Sequence, residues 1–184
     1  LLKIKPDVVI NCVGSLISQS NNDISNAILI NSYLPNLLAE MGVKIDFKLI
    51  HISTDCVFSG KDGHYKEDAF RDGDNNYART KSLGEIINDR DLTIRTSIIG
   101  PEIKTNGSGL FHWFLQQQDS IFGYTAALWS GVTTLELATA IQWGIENNIS
   151  GLYHLTNGHS INKYELLRLF KKHTKKDIKI KQLI

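Results

Sequence analysis

The chain has few of the residues that mark specialised classes of protein. Its 184 residues include only two cysteines, too few for a disulfide framework. Cys12 and Cys56 both lie in apolar runs, so we expect buried free thiols and a reducing compartment. No apolar stretch approaches the roughly 20 residues of a membrane span, and the first residues lack the layout of a signal peptide. The sequence therefore predicts a cytoplasmic protein that has no membrane partner.

An excess of one charge is also missing. The chain has 20 Lys and Arg against 19 Asp and Glu, which gives a net charge of +1 and no support for a dedicated nucleic-acid binder. Its six histidines are scattered without the paired spacing of metal ligands. We therefore predict neither a nucleic-acid partner nor a metal site.

Short apolar runs alternate with segments of helical period along the chain. This alternation is typical of βαβ units and predicts an α/β fold with a Rossmann-like parallel sheet. Pro35 lies well inside one helical pattern, so that helix either kinks there or begins later. The predicted strands are 7–13, 47–53, 92–97, 151–155 and 178–181, and the predicted helices are 23–41, 75–88, 109–117, 134–147 and 162–174.

The most informative motif combines a tyrosine, a lysine and an upstream threonine. Tyr77 and Lys81 are four residues apart, so on a helix they share one face. A phenol has an ordinary pKa of about 10, and a neighbouring cation favours the phenolate, so we expect Lys81 to lower the pKa of Tyr77. Thr54 follows an apolar strand, and its hydroxyl can hold a substrate oxygen during carbonyl reduction.

These residues belong to a series of segments whose order resembles the extended short-chain dehydrogenase/reductases. Within that superfamily the chain is similar to the dTDP-4-dehydrorhamnose reductase-like group, whose members include RmlD-like substrate-binding domains. The resemblance covers nearly the whole chain. The segments that carry it are 7–14, 30–40, 51–60, 65–68, 77–85, 94–97, 130–134 and 151–157.

The resemblance implies a reductase that moves hydride from NADPH or NADH to the 4-keto group of a nucleotide-diphosphate deoxysugar, for surface polysaccharide. Tyr77 would deliver the proton, Lys81 would tune Tyr77 and bind the nicotinamide ribose, and Thr54 would hold the oxygen. A reductase or epimerase of UDP-N-acetylated deoxysugars and a non-catalytic regulatory relative stay open as alternatives. A homodimer is compatible with the resemblance.

Further site residues follow from position and from the resemblance. Open parallel sheets bind ligands at the carboxyl ends of their strands. Asn31 either organises a water near the lysine, as the resemblance implies, or bonds to backbone. The cofactor candidates are Asn11, Val13, Gly14, Ser53, Tyr77, Lys81, Thr96 and Ser97. The substrate candidates are Asp55, Val57, Phe58, Glu67 and Trp129.

A glycine-rich phosphate-binding turn is missing from the chain. Such reductases resemble one another in opening with a strand and a G-x-x-G-x-x-G turn that seats the cofactor pyrophosphate. We therefore expect that the first βαβ unit is missing and that this chain is inactive by itself. On this view residues 1–100 form the rest of the cofactor domain, and residues 101–184 form mostly a small C-terminal substrate lobe interleaved with it.

Overall fold

Strands and helices alternate along the chain. The computed structural model describes residues 1–104 and 107–184. The first elements are β1 Val8–Asn11, α1 Ile17–Asn22, α2 Ile24–Ala27, a π-helical turn Ile28–Tyr33, α3 Leu34–Ile45, β2 Lys48–Thr54, a 3₁₀ turn Asp55–Val57, α4 Asn76–Leu83 and β3 Leu92–Thr96. The later elements are β4 Ile98–Ile99, α5 Leu110–Gln116, β5 Ser120–Tyr124, β6 Leu128–Trp129, β7 Val132–Thr133, α6 Thr134–Glu146, β8 Gly151–His154, β9 Ile161–Asn162, α7 Lys163–Thr174 and β10 Lys179–Leu183.

The main sheet has four parallel strands in the order β1, β2, β3, β8. Asn11 pairs with His51, and Thr54 pairs with Thr96, so the ends of neighbouring strands stay in step. Because all four strands run the same way, their carboxyl ends lie at one edge. The predicted Rossmann-like parallel sheet is thereby confirmed.

The chain divides into two compact units. The first contains Leu1–Thr96 and Ala140–Leu155, and the second contains Ser97–Thr139 and Thr156–Ile184. Residues 140–155 return to the first unit because β8 pairs with β3. That the second unit binds substrate stays a prediction.

The second unit has its own apolar core. Its strands β5 and β10 pair in parallel, and α7 begins at Asn162, whose side chain accepts a hydrogen bond from the backbone N–H of Glu165. Neither the strand β5 nor its pairing was predicted. The buried side chains of this core are Phe114, Ile121, Leu166, Leu167, Phe170 and Ile178.

The predicted helix at 23–41 is broken by a π-helical turn. Pro35 lies just after that turn, near the start of α3, where its missing N–H costs little. The carbonyl of Asn31 faces Gly84, the residue that ends α4, so closely that a Cβ at position 84 would lie 1.9 Å from the oxygen. Helix α4 ends at Gly84, before residue 88, where the pattern predicted its end. Because Gly84 has no side chain, the end of α4 can approach the π-helical turn that contains Asn31.

A histidine is buried in the middle of the sheet. His51 is fully buried, and its Nδ1 accepts a hydrogen bond from Nδ2 of Asn11 at 3.2 Å. Its Nε2 has no hydrogen-bond partner among the described residues. Burial, with a smaller contribution from the charge of Lys81, lowers the pKa of His51 to about 3, so the imidazole is neutral at pH 7.

The two cysteines are free, as expected, but the expectation that they are buried is wrong. Cys12 is exposed and Cys56 is half-buried. Each follows the last residue of a strand by one or two positions, so each lies outside the sheet. Within residues 1–104 and 107–184, the structure contains no helix long and apolar enough to cross a membrane.

We predict that Gly84→Ala destabilises the protein by about 1–3 kcal/mol, because the added methyl group overlaps the carbonyl oxygen of Asn31. Urea unfolding followed by circular dichroism measures the change. Gly14→Ala is the control, since a Cβ there would meet its nearest atom at 3.7 Å. Equal losses in the two variants would show that the close approach at Gly84 is not a constraint.

We also predict that acidification from pH 7 to pH 5 destabilises the protein through His51. The unfolded imidazole takes up a proton near pH 6.5, whereas the folded one stays neutral to about pH 3, so stability is lost as the pH falls. The loss is about 2 kcal/mol over this interval. His51→Gln should remove it, and the exposed His173→Gln should keep it. Parallel losses in wild type and His51→Gln would contradict this assignment.

Candidate active site

Tyr77 and Lys81 lie one turn apart on α4. The helix begins at Asn75, whose side chain accepts a hydrogen bond from the backbone N–H of Ala78 at 2.9 Å. Thr80, between the two residues, donates its hydroxyl back to the carbonyl of Asn76 at 2.7 Å. The local sequence therefore fixes this short helix, and with it the Tyr77 and Lys81 positions that the spacing predicted.

Thr54 meets Tyr77 at the end of β2. The Thr54 hydroxyl lies close enough to the phenol to favour its ionised form. The same hydroxyl accepts the backbone N–H of Cys56 at 3.1 Å and donates to the carboxylate of Asp55 at 3.3 Å. Ser53 lies on the opposite face of the strand, where its hydroxyl donates to Glu85 at 2.7 Å. The geometry thus places Thr54, and not Ser53, beside the phenol, as the sequence favoured.

The pKa of Tyr77 moves in the opposite direction to the one expected. Burial raises it to about 12; the hydrogen bond with Thr54 opposes that rise, while Cys56 and Asp55 add to it. The expectation that Lys81 lowers this pKa is wrong. Tyr77 is therefore a protonated phenol at neutral pH, which suits a proton donor.

Lys81 points its ammonium group at the sheet. The group is buried, and Nζ donates to the carbonyl of Ile52 at 2.7 Å. Burial lowers the pKa of Lys81 to about 8, while the charges of Glu85 and Cys12 raise it. Among the described residues, this is the one hydrogen bond that Lys81 donates. Its ammonium group has three N–H donors, so two are left for a ligand.

The segment after β1 presents backbone at the same edge of the sheet. Asn11 is buried, and its side-chain oxygen accepts the N–H of Val13 at 3.2 Å, so Asn11 shapes this turn from inside. Val13 and Gly14 are exposed. The amide of Asn31 bonds to the backbone N–H and C=O of Ser15 and to Thr80, which supports its role as a backbone clamp.

Thr96 and Ser97 follow β3 but fall in different units. The Thr96 hydroxyl donates to the carbonyl of Leu155 at 2.8 Å within the first unit. The Ser97 hydroxyl accepts the indole N–H of Trp129 at 2.8 Å within the second. A cofactor candidate and a substrate candidate are thus in contact in the second unit.

The substrate candidates of the first unit lie between β2 and α4. Asp55 is exposed beside Thr54, and Val57 is buried. Phe58 stacks on Tyr65 with ring centroids 4.4 Å apart, so its ring is already engaged. Glu67 accepts the backbone N–H of His154 at 3.0 Å, and that hydrogen bond is the main cause of its lowered pKa.

Sequence reasoning missed the charged groups behind the candidate catalytic residues. Glu85 and Arg95 form a buried ion pair at 2.7 Å, and Arg71 binds the other carboxylate oxygen of Glu85 at 2.9 Å. The available signals were the arginine inside an apolar strand and the Glu85 position four residues after Lys81 on a helical pattern. A charge in either place is unusual unless it is paired.

The chain matches the RmlD substrate binding domain family over residues 1–183. It is 28% identical over 167 residues to the spore coat polysaccharide biosynthesis protein SpsK of Bacillus subtilis. The matched region covers 88% of this chain and 59% of SpsK. The chain is 27% identical over 175 residues to a dTDP-4-dehydrorhamnose reductase of Aggregatibacter actinomycetemcomitans, again covering 88% and 59%.

The fold of this chain also matches solved structures of dTDP-4-dehydrorhamnose reductases. A hypothetical dTDP-4-dehydrorhamnose reductase from Sulfolobus tokodaii matches with a TM-score of 0.85 and 28% identity, over 99% of this chain and 66% of that one. The dTDP-4-dehydrorhamnose reductase of Bacillus anthracis, in complex with NADP, shares the fold with a TM-score of 0.86 and 22% identity, over 99% and 68%.

This chain spans 59% of the length of the first two relatives. The resemblance seen in the ordered motifs is confirmed at the level of the family, because the family match extends over almost all of the described sequence. The protein belongs to the RmlD substrate binding domain family.

Proposed function

We propose that this chain supplies the catalytic residues of an NAD(P)H-dependent reductase that acts on the 4-keto group of a nucleotide-activated deoxysugar. The observation that carries the proposal is the placement of the Thr54 hydroxyl beside the Tyr77 phenol, with Lys81 one helical turn along α4. Two hydroxyl groups thus meet at the edge of a parallel sheet where ligands commonly bind.

These residues have distinct tasks in carbonyl reduction. Tyr77, protonated at neutral pH, donates its proton to the sugar oxygen as negative charge develops there. The Thr54 hydroxyl, held by its hydrogen bond from Cys56, binds the same oxygen and stabilises that charge. Lys81, whose ammonium group donates to the carbonyl of Ile52, is assigned to cofactor binding.

The residues present fit a nicotinamide cofactor. Lys81 has two N–H donors available for ribose hydroxyls, and the exposed Gly14 permits close approach of a ligand to the backbone after β1. When bound, the cofactor supplies the hydride. NADP is present in the structure of the Bacillus anthracis relative, and whether this protein prefers NADPH or NADH stays a prediction for experiment.

The names of the relatives support a deoxysugar substrate and a role in polysaccharide biosynthesis. Nucleotide sugars and NAD(P)H are cytoplasmic metabolites, and the two free thiols agree with a reducing compartment, so we place the reaction in the cytoplasm. A homodimer stays a prediction.

The first test assays NAD(P)H oxidation by the protein as its organism makes it, with dTDP-4-dehydrorhamnose as substrate. Tyr77→Phe should lower kcat by about 10²–10⁴-fold, because the proton donor is lost. The control is Tyr33→Phe, which removes a phenol from an exposed position on the π-helical turn and should leave kcat unchanged.

Other outcomes would redirect the proposal. Turnover of a UDP-N-acetylated 4-keto sugar alone would change the substrate, and sugar inversion without net oxidation of NAD(P)H would indicate an epimerase. A folded protein that oxidises NAD(P)H with none of these sugars would favour a regulatory relative.

The second test separates the hydroxyl of Thr54 from its bulk. Thr54→Val should lower kcat by about 10²-fold, since a developing oxyanion loses one donor, whereas Thr54→Ser keeps that donor and should retain most of the rate. Steady-state kinetics with both variants measures the difference. Equal rates for the valine and serine variants would exclude the hydroxyl from catalysis.

A further inference from the structure

The carboxylate of Glu85, near the candidate site, accepts four hydrogen bonds. Its side chain is fully buried. Oε1 accepts the Ser53 hydroxyl at 2.7 Å and Nε of Arg95 at 2.7 Å. Oε2 accepts a second nitrogen of Arg95 at 2.8 Å and Nη1 of Arg71 at 2.9 Å. Burial opposes ionisation, but these donors hold the pKa of Glu85 below its ordinary value, so it is a carboxylate.

The four hydrogen bonds come from three separate segments. Ser53 is on β2 immediately before Thr54, Arg95 is on β3, and Arg71 is in the segment between β2 and α4. Glu85 itself follows α4, which carries Tyr77 and Lys81. One carboxylate therefore joins every segment of the first unit that supplies a candidate catalytic residue.

Arg95 extends the junction to a loop that we name the clamp loop, residues 57–73. Nη1 of Arg95 donates to the carbonyl of Glu67 at 2.9 Å and lies 3.1 Å from Nε2 of His154. Its guanidinium also lies 5.0 Å from the ring centroid of Phe58. The clamp loop is thus held at its start, its middle and, through Arg71, near its end.

The ends of the clamp loop are themselves closed. The N–H of Gly73 donates to the carbonyl of Val57 at 2.9 Å, and the N–H of Ser59 donates to Asp72 at 2.8 Å. Residues 62–72 of the loop line a pocket of about 400 Å³ that is open to solvent, and Tyr65 and Phe70 are among them. Anchoring such a loop to the sheet fixes its position relative to Thr54.

We propose that Glu85 is a positioning residue, which uses Ser53, Arg71 and Arg95 to hold the Thr54 hydroxyl, the Tyr77 helix and the clamp loop in one arrangement. The catalytic part of this inference rests on the proposed function. Apolar side chains of similar size would fill the same space at lower desolvation cost, so the stability of the fold alone does not account for three charges here.

Glu85 also acts on Lys81 through its charge. The ionisable groups that act on Lys81 are Glu85 and Cys12, and Lys81 in turn acts on His51. Glu85→Gln keeps the size of the side chain but removes its negative charge, so the titration midpoint of Lys81 should move to lower pH. Loss of packing alone would not move it in this direction.

The test compares two matched pairs of variants in the protein as its organism makes it. Glu85→Gln and Arg95→Lys change the buried pair, and Glu165→Gln and Arg168→Lys make the same changes in an exposed pair on α7. Hydrogen exchange should speed up by about tenfold or more at the Ser59 and Gly73 amides in the first two variants only. NMR titration of the lysine ammonium groups should show the Lys81 shift in Glu85→Gln.

Two results would overturn the proposal. One is unchanged exchange at Ser59 and Gly73 together with an unchanged Lys81 midpoint. The other is faster exchange by one common factor at every amide of the first unit, the sheet amide of Leu155 included, which would indicate a purely structural role. If Glu85→Gln does not fold, the hydrogen-exchange rates of Arg95→Lys decide the question. Lysine keeps the positive charge but cannot donate the two hydrogen bonds that the guanidinium of Arg95 makes to the carboxylate.

Kinetics separates this inference from the proposed function. In a protein that reduces nucleotide sugars, Glu85→Gln should lower kcat by about tenfold or more, whereas Glu165→Gln should leave kcat unchanged. If the wild type has no activity, the proposed function fails, yet the exchange and titration results still decide whether Glu85 holds these segments together. Unchanged kcat in an active protein would refute positioning of the catalytic pair.

Discussion

The parallel pairing of β1, β2, β3 and β8 is the constraint on which the candidate site depends. It brings the carboxyl ends of four strands to one edge, and Asn11, Thr54, Thr96 and His154 are the last residues of those strands. No two of them are close in sequence, so only the shared register assembles them. The helix α4 then adds a phenol and an ammonium to an edge already lined with polar groups.

One face of this sheet is unusually polar. Parallel strands covered on both sides are normally apolar. Here five polar residues share one face, because they are either paired across neighbouring strands or two positions apart on one strand: Asn11, His51, Thr93, Ser53 and Arg95. All five are buried.

Most of these groups are hydrogen-bonded. Thr93 donates to the carbonyl of Ile86 at 2.6 Å, and Ser53 and Arg95 share the carboxylate of Glu85. Because each unpaired buried polar group costs roughly 1–3 kcal/mol, such a face is stable only in one arrangement. The polar face therefore specifies where the candidate catalytic segments lie.

Sequence patterns predicted the elements and missed the tertiary ties between them. Alternation of apolar runs placed the four main strands, and a four-residue spacing placed Tyr77 and Lys81 on one helix face. The π-helical turn before Pro35 and the early end of α4 meet at the contact between Asn31 and Gly84, residues 53 positions apart. The burial of Glu85 depends likewise on Ser53, Arg71 and Arg95. Local periodicity carries no information on such contacts. The predicted direction of the Tyr77 pKa shift was wrong for the same reason, because that shift depends on burial in the folded chain.

The two unusual pKa values at the candidate site determine its protonation state near neutral pH. With a pKa of about 12, Tyr77 holds its proton near neutrality and is ready to give it to a developing alkoxide, which is the more basic group. Lys81, with a pKa of about 8, is mostly protonated at pH 7, and its charge is kept by the Glu85 carboxylate. The same buried carboxylate thus accepts hydrogen bonds from both β2 and β3 and favours the charged form of Lys81.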